Sequence, residues 1–207
     1  MNTPRPAARL SEDMLAADPM TQFARWMSDA EAAGLPEPTA MVLATTSAAG
    51  RPRARTVLLK AHGPAGFTFY TNKTSRKGSD LAANPWACAV FPWYGLRRQV
   101  TVEGGVRAMS AADSQPYFST RPRGSQVAAW ASRQSRVIGS RQELDRRFAE
   151  LQRRWPPPAP VPMPDFWGGY VLVPDSVEFW QSGAHRLHDR LRYRRAGGGW
   201  IVERLSP

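Results

Sequence analysis

Hydrophobic positions along the chain follow two rhythms. Between Asp18 and Gly34 they recur at helical spacing, with Phe23, Trp26, Met27 and Ala30 on one face. Asp18 is a good N-cap, Pro19 suits the first helical position, and Gly34 with Pro36 ends the run. From residue 39 the period shortens to two. TAMVLATTS (39–47) and ARTVLLK (54–60) flank AAGRPR and predict a hairpin. GFTFYT (66–71), WACAVFPW (86–93) and RRQVTVEGGVRAM (97–109) follow at the spacing of an antiparallel barrel or sandwich. Gly104-Gly105 predicts a bulge or sharp bend within the last of them.

Helical stretches interrupt these strands. SRKGSDLAAN (75–84) stops at Pro85, and SAADSQPYF (110–118) opens with Ser110 and Asp113 in capping-box positions. SRQELDRRFAELQRR (140–154) carries a full capping box, Ser140 with Glu143, and an apolar seam of Leu144, Phe148 and Leu151. WPPPAPVPMP (155–164) is barred from helix and central strand by its prolines and predicts an extended connector. Beyond it lie only WGGYVLV, SVEFWQ, RLRYRR and WIVERL, three or four strands and too few for a domain of their own. The pattern predicts an α+β chain, mainly antiparallel β: a flexible N-terminal arm over 1–17, then one barrel domain with peripheral helices over 18–207.

Composition narrows the function. The 207 residues carry a net charge of +11, nearly all of it from arginine, since the only lysines are Lys60, Lys73 and Lys77. Such a basic chain is a candidate nucleic-acid binder, but the charges are scattered, with RPRAR (51–55) and RLRYRR (190–195) the densest clusters and no basic tail. A lone cysteine, Cys88, excludes an internal disulfide and a cysteine zinc site. No apolar run reaches membrane-span length, and MNTPRPAARLSEDML lacks the apolar core of a signal peptide, so a cytoplasmic protein is expected.

Four cationic clusters sit on different predicted elements. In TSRKGSD (74–80), Ser75 caps a helix whose first turn holds Arg76 and Lys77; cations there oppose the helix dipole unless an anion binds between them and the free N–H groups. RPRGSQ (121–126) offers two arginines and Ser125 to phosphate oxygens, with Tyr117 four residues before Arg121. Arg55 and Lys60 close the ends of a strand, where strict alternation puts them on opposite faces unless the site wraps the strand end. HRLHDR (185–190) places His185, Arg186, His188 and Arg190 just after Trp180; without a third ligand motif this suits a planar anion better than a metal. No catalytic carboxylate pair, Ser-His-Asp order or P-loop accompanies them. Converging, the clusters would hold one or two phosphorylated small molecules, and a cofactor would carry the difficult chemistry.

RTVLLK, FYTNKTSRK, FPWYGLRRQV, YFSTRPRGSQVAAW, SRQS, FWGGY and EFWQSGAHRLHDRLRY, in that order from about Leu15 to Pro207, closely resemble the pyridoxine (pyridoxamine) 5′-phosphate oxidase family. The resemblance implies an FMN-binding split β-barrel acting as a homodimer, with each flavin between subunits. It implies FMN contacts from Arg55, Thr56, Val57, Leu58, Lys60, Tyr70, Thr71, Ser75, Arg76, Lys77 and Gln99. Gln134, Ser135, Trp180 and Arg190 would join them from the partner subunit or facing loops. Lys60, Tyr117, Arg121 and Ser125 would hold the substrate phosphate, while Arg186, Leu187 and His188 cover the pyridine ring, Arg186 and His188 as catalytic residues. The implied reaction oxidises pyridoxine or pyridoxamine 5′-phosphate to pyridoxal 5′-phosphate, with O₂ reduced to H₂O₂. The chain departs from the family in two places. Before Leu15 it has no tyrosine, where the family often has an arginine–tyrosine element over the substrate, and Glu37 stands where aspartate is common. The competing readings are another flavin enzyme on the same barrel, a non-catalytic pyridoxal phosphate carrier, and a nucleic-acid binder.

Overall fold

The computed structural model describes residues 9–207. Helix α1 (Pro19–Ala32) begins as its cap predicts: Asp18 Oδ1 accepts from the Met20 and Thr21 N–H groups, each at 2.9 Å. Its apolar face drives Phe23 into the barrel, fully buried and edge-on to Phe67 and Phe91 at centroid distances of 4.8 and 4.9 Å. Edge-to-face rings add to the burial itself, so a Phe-to-Ala change at such a site costs about 3–5 kcal/mol.

The strands are β1 (Ala40–Thr46), β2 (Pro52–Leu58), β3 (Ala61–Gly63), β4 (Gly66–Asn72), β5 (Trp86–Trp93), β6 (Arg98–Ala108), β7 (Trp167–Gln181), β8 (Asp189–Ala196) and β9 (Gly199–Arg204). The helices after α1 are α2 (Arg76–Ala83), α3 (Ala111–Thr120), α4 (Arg123–Ala131) and α5 (Arg141–Arg154). Every strand pairing is antiparallel, in the order β2-β1-β5-β6-β7-β4-β3, with β8 on β7 and β9 on β8. The sheet forks at β7, whose first half pairs with β4 and whose second half pairs with β8. Beyond β2 the chain crosses between edges: Leu59 N–H donates to Thr39 O and Lys60 N–H to Thr68 O, which curls the sheet shut. Inside lie Met41, Leu43, Phe69, Ala89, Val100, Leu172 and Phe179, alternate positions of their strands with no exposure.

Three features differ from the sequence reading. WGGYVLV and SVEFWQ, expected as separate strands, are one fifteen-residue strand. Its register against β6 shifts between Glu103/Gly104, which pair with Ser176 and Pro174, leaving Asp175 as the extra residue. The bulge lets the strand pass through Pro174 without a break. Strand β3 was not expected, being too short to show a period. The segment expected as an arm divides: residues 1–8 lie outside the described residues, whereas from Leu10 it is fastened to the barrel. Leu10 is buried and its N–H donates to Asp189 Oδ2 at 3.1 Å, while Tyr193 Oη donates to Ala16 O at 2.7 Å.

The proline-rich connector runs without helix or strand, as predicted, but it is not extended throughout: it turns at Pro156–Ala159, where Ala159 N–H donates to Pro156 O at 2.9 Å. Arg123 donates to Trp155 O and, at 2.7 Å, to Ala159 O, and Trp130 Nε1 donates to Pro162 O at 2.8 Å. Among the described residues no helix is long and apolar enough to cross a membrane.

Candidate functional site

One cationic cluster gathers where α2 starts. Ser75 Oγ accepts from Gly78 N–H, and Gly78 is tied to glycine because a Cβ there would lie 2.0 Å from Lys73 O. This close approach turns the chain so that Lys77 points inward and is buried. Its Nζ donates to Thr71 Oγ1 at 3.0 Å and to Gln134 Oε1 at 2.8 Å. Burial, and after it the charge of Arg55, pulls the Lys77 ammonium down to about 8. Arg76 N–H donates to Ser135 Oγ at 3.3 Å, so Gln134 and Ser135 belong to this corner of the same chain.

Arg55 reaches the corner from β2. Its Nη1 donates to Thr45 Oγ1 at 2.7 Å and Leu43 O at 3.0 Å, and burial lowers its pKa from the usual range. A cavity of about 560 Å³ is bounded by Arg55, Arg76, Lys77, Gln134 and Ser135 together with Arg53. It shares Thr56, Lys77 and Gln134 with a second cavity of about 590 Å³, so the two form one cleft.

Into the larger cavity project Thr56, Val57, Leu58 and Lys60 from the end of β2, Tyr70 and Thr71 from β4, and Tyr117, Arg121 and Ser125 from the α3–α4 corner. The strand-end geometry answers how Arg55 and Lys60 serve one cleft: β2 stops at Leu58, and the chain crosses to β4 at Lys60. Tyr70, Tyr117 and Trp167 form one wall, with Tyr70 stacked on Tyr117 at 4.1 Å and on Trp167 at 5.3 Å. Burial, and then Tyr117, raises the Tyr70 pKa. Arg121 lies over Trp167 at 4.9 Å, and its Nη1 is buried with no hydrogen-bond partner among the described residues. Gln126 Nε2 holds the corner by donating to Phe118 O, Ser119 O and Arg121 O at 3.2, 3.2 and 2.9 Å. The two arginines of RPRGSQ therefore part: Arg121 enters the cleft, while Arg123 grips the connector.

The remaining expected residues lie elsewhere on the chain. Gln99, Trp180 and Arg190 occupy one row across β6, β7 and β8, as direct register partners. Gln99, Trp180 and His188 line a separate cavity of about 560 Å³ that shares no residue with the cleft. His188 lies 4.6 Å from Trp180, and its Nδ1 accepts from Gly183 N–H at 3.1 Å. A Cβ on Gly183 would lie 1.9 Å from Leu187 O, so only glycine closes this loop. His185 and Arg186 both take positive φ, 54° and 64°, a costly conformation for non-glycine residues that often marks a functional loop. Leu187 is 68% exposed. Arg190 is engaged by Glu178, with Nε–Oε1 2.7 Å and Nη2–Oε2 2.9 Å, which raises its pKa, and it also donates to Ser206 O.

One chain thus carries two separate concave regions, the cationic cleft and the Trp180–His188 surface. Nine residues lining the cleft escaped the sequence reading, Trp167, Thr120 and Arg53 among them. Trp167 was visible only as an aromatic in FWGGY, Thr120 had no signal of its own, and Arg53 stood in RPRAR without a partner to give it direction.

Comparison with known proteins gives concordant results. The family model described as pyridoxamine 5′-phosphate oxidase matches residues 27–154, and one described as the pyridoxine 5′-phosphate oxidase C-terminal dimerisation region matches residues 167–207. A relative from Frankia alni named pyridoxine/pyridoxamine 5′-phosphate oxidase is 57% identical over 205 residues, spanning 97% of this chain and 85% of its own. One of the same name from Salinispora arenicola is 55% identical, spanning 96% of this chain and 90% of its own. The solved structure of PhzG from Burkholderia lata 383, in complex with tetrahydrophenazine-1-carboxylic acid, matches with a TM-score of 0.91 and 30% identity over 98% of this chain and 100% of the other. A pyridoxamine 5′-phosphate oxidase-related, FMN binding protein from Nostoc punctiforme matches with a TM-score of 0.74 and 17% identity over 93% of this chain and 100% of its own. The fold is the split β-barrel with peripheral helices that the motifs implied.

Proposed function

Because the chain belongs to the pyridoxamine 5′-phosphate oxidase family, we propose that it oxidises pyridoxine 5′-phosphate or pyridoxamine 5′-phosphate to pyridoxal 5′-phosphate with FMN as cofactor. The observation that carries the reading is Arg121: a cleft-lining arginine with a buried, unpartnered Nη1, beside Lys60, Tyr117 and Ser125. A buried guanidinium donor without an acceptor is costly, and a substrate phosphate supplies the acceptor. The second corner fits a second phosphate, that of FMN, with Arg55, Arg76 and Lys77 around the capped start of α2 and no carboxylate among the residues lining either cavity. Thr56, Val57, Leu58, Tyr70 and Thr71 lie between the two corners and would bed the body of the cofactor.

Bound FMN supplies two-electron oxidation at C4′ of the substrate and reoxidation by O₂, giving H₂O₂, with ammonia released when the substrate is the amine. The protein's own share is binding and orientation. The half-site of Gln99, Trp180, Arg186, Leu187, His188 and Arg190 would come from a second copy and close over the cleft, a reading supported by the match of residues 167–207 to a dimerisation region. Because His188 Nδ1 accepts from Gly183, the proton of the neutral ring sits on Nε2, and Nε2 is the donor offered to a ligand. The 30% identity to PhzG favours as second reading a split-barrel flavin oxidase with a non-phosphorylated ring substrate.

The test is the visible spectrum of FMN-loaded protein without oxygen. Bleaching by either vitamer phosphate, and recovery in air with pyridoxal 5′-phosphate formed, is the expected result. A flavin that stays oxidised with both overturns the substrate assignment, and protein that binds no flavin overturns the enzyme.

A further inference from the structure

The RPRAR cluster holds two arginines that the proposed flavin contacts do not use, Arg51 and Arg53, and of these Arg53 lines the cavity. Arg53 and Arg55 are two apart on β2 and so project from the same face. Both reach Asp80 on α2: Arg53 Nη1 lies 2.8 Å from Oδ1 and Arg55 Nη2 lies 3.6 Å from Oδ2, while Thr45 Oγ1 donates to Oδ2 at 2.7 Å. Asp80 is 2% exposed, so its charge has to be balanced where it stands. Yet the cavity is bounded by four cations, Arg53, Arg55, Arg76 and Lys77, and the one carboxylate paired with any of them among the described residues is Asp80, on Arg53 and Arg55, which leaves positive charge in surplus. Arg55 donates hydrogen bonds to Leu43 O and Thr45 Oγ1 and pairs with Asp80 at 3.6 Å. Among the described residues Arg53 makes a single side-chain hydrogen bond, to Asp80, which leaves most of its five N–H donors uncommitted there, and its side chain is 41% exposed.

We propose that Arg53 is a further phosphate-binding residue, held by one edge on Asp80 so that its other edge faces the 5′-phosphate of the flavin nucleotide beside Arg76 and Lys77. The proposal rests on the flavin reading above. Asp80 then acts as a positioning residue: buried and fixed by Thr45, it sets the reach of Arg53 before any ligand arrives. Paired guanidinium and phosphate geometry makes such a residue selective for the phosphorylated flavin over riboflavin.

The experiment titrates apoprotein with FMN and with riboflavin, following flavin fluorescence at low and high salt, for wild type, Arg53→Gln and Arg53→Lys. Glutamine keeps a donor for Asp80 and removes the charge. Arg53→Gln is expected to weaken FMN binding about tenfold at low salt, the loss expected for one charge-assisted contact at a partly exposed site. It should also flatten the salt dependence, leave riboflavin binding unchanged, and be partly rescued by Arg53→Lys. Inorganic phosphate gives an independent readout: it should raise the melting temperature of wild-type apoprotein more than that of Arg53→Gln. Equal FMN affinity in wild type and Arg53→Gln, or equal losses for FMN and riboflavin, would overturn the role. Wild-type protein that ignores FMN would overturn the flavin reading itself, and this inference with it.

Discussion

Replacing Arg121 with methionine is expected to make the ligand-free protein more stable and the enzyme worse. Arg121 keeps a buried Nη1 without a partner, and burial pushes its guanidinium pKa down. An unmet buried donor on a charged group costs about 1–3 kcal/mol, and the lower half applies because the residue is only partly buried. Against this stand the stacks on Trp167 at 4.9 Å and on Phe118 at 5.7 Å, worth about 0.5–1 kcal/mol each. A methionine recovers part of that through sulfur–aromatic contact. The net gain is about 1 kcal/mol, or a rise in melting temperature of about 2–4 °C for a chain of this size. In the proposed function the same change also removes a charge-assisted hydrogen bond to the substrate phosphate, about 1.5–3 kcal/mol, so pyridoxal 5′-phosphate should then bind roughly ten- to a hundredfold more weakly. Thermal unfolding of substrate-free protein and a ligand titration measure both effects. A lower melting temperature combined with unchanged affinity would refute the reasoning, since it would make Arg121 a structural residue.

Three further expectations follow from the geometry. Gly183→Ala forces a Cβ to within 1.9 Å of Leu187 O, so the loop carrying Arg186 and His188 has to open; turnover should fall at least tenfold while the melting temperature moves little, and normal turnover would contradict the proposed placement of Arg186 and His188 over the substrate. In free protein Lys77 is pulled down to about 8, so as pH rises through that value the ammonium loses its proton. FMN affinity should therefore fall above it, with proton uptake on binding near it and no parallel change for riboflavin; a flat FMN affinity across that range would count against Lys77 as a phosphate ligand. Arg123→Ala removes two contacts to the connector, at Trp155 O and Ala159 O, and should lower stability by about 1–3 kcal/mol and expose residues 155–164 to limited proteolysis, whereas unaltered proteolysis would mean that Trp130 alone secures it.

What sequence could reveal follows the range of the interactions. The cap at Asp18, the hairpin after Thr46 and the capped starts of α3 and α5 depend on residues within a few positions, and all could be read directly. The clustering of cations at the start of α2 was legible for a similar reason, since Ser75, Arg76 and Lys77 are consecutive at its capped end. The union of WGGYVLV and SVEFWQ into one strand was not legible, because Pro174 is tolerated only through a bulge set by register against β6. Nor were the roles of Arg121 and Arg123 separable, since their fates depend on a connector more than thirty residues away. The row of Gln99, Trp180 and Arg190 likewise exists only once three strands are in register. The resemblance supplied these residues; local pattern did not.

The central claim is that the cleft of one copy and the Trp180–His188 surface of another make a single active site. Complementation between two inactive variants tests it most directly: Arg121→Gln disables the cleft half and Arg186→Ala the covering half. Each homodimer should be nearly inactive. Unfolded together and refolded as a mixture, half of the dimers carry both chains, and each such dimer has one site free of substitution. Oxidase activity should then return to about a quarter of the wild-type value, as a two-fold interface with shared sites requires. A mixture no more active than its parents would contradict the account, placing both halves of the site within one chain.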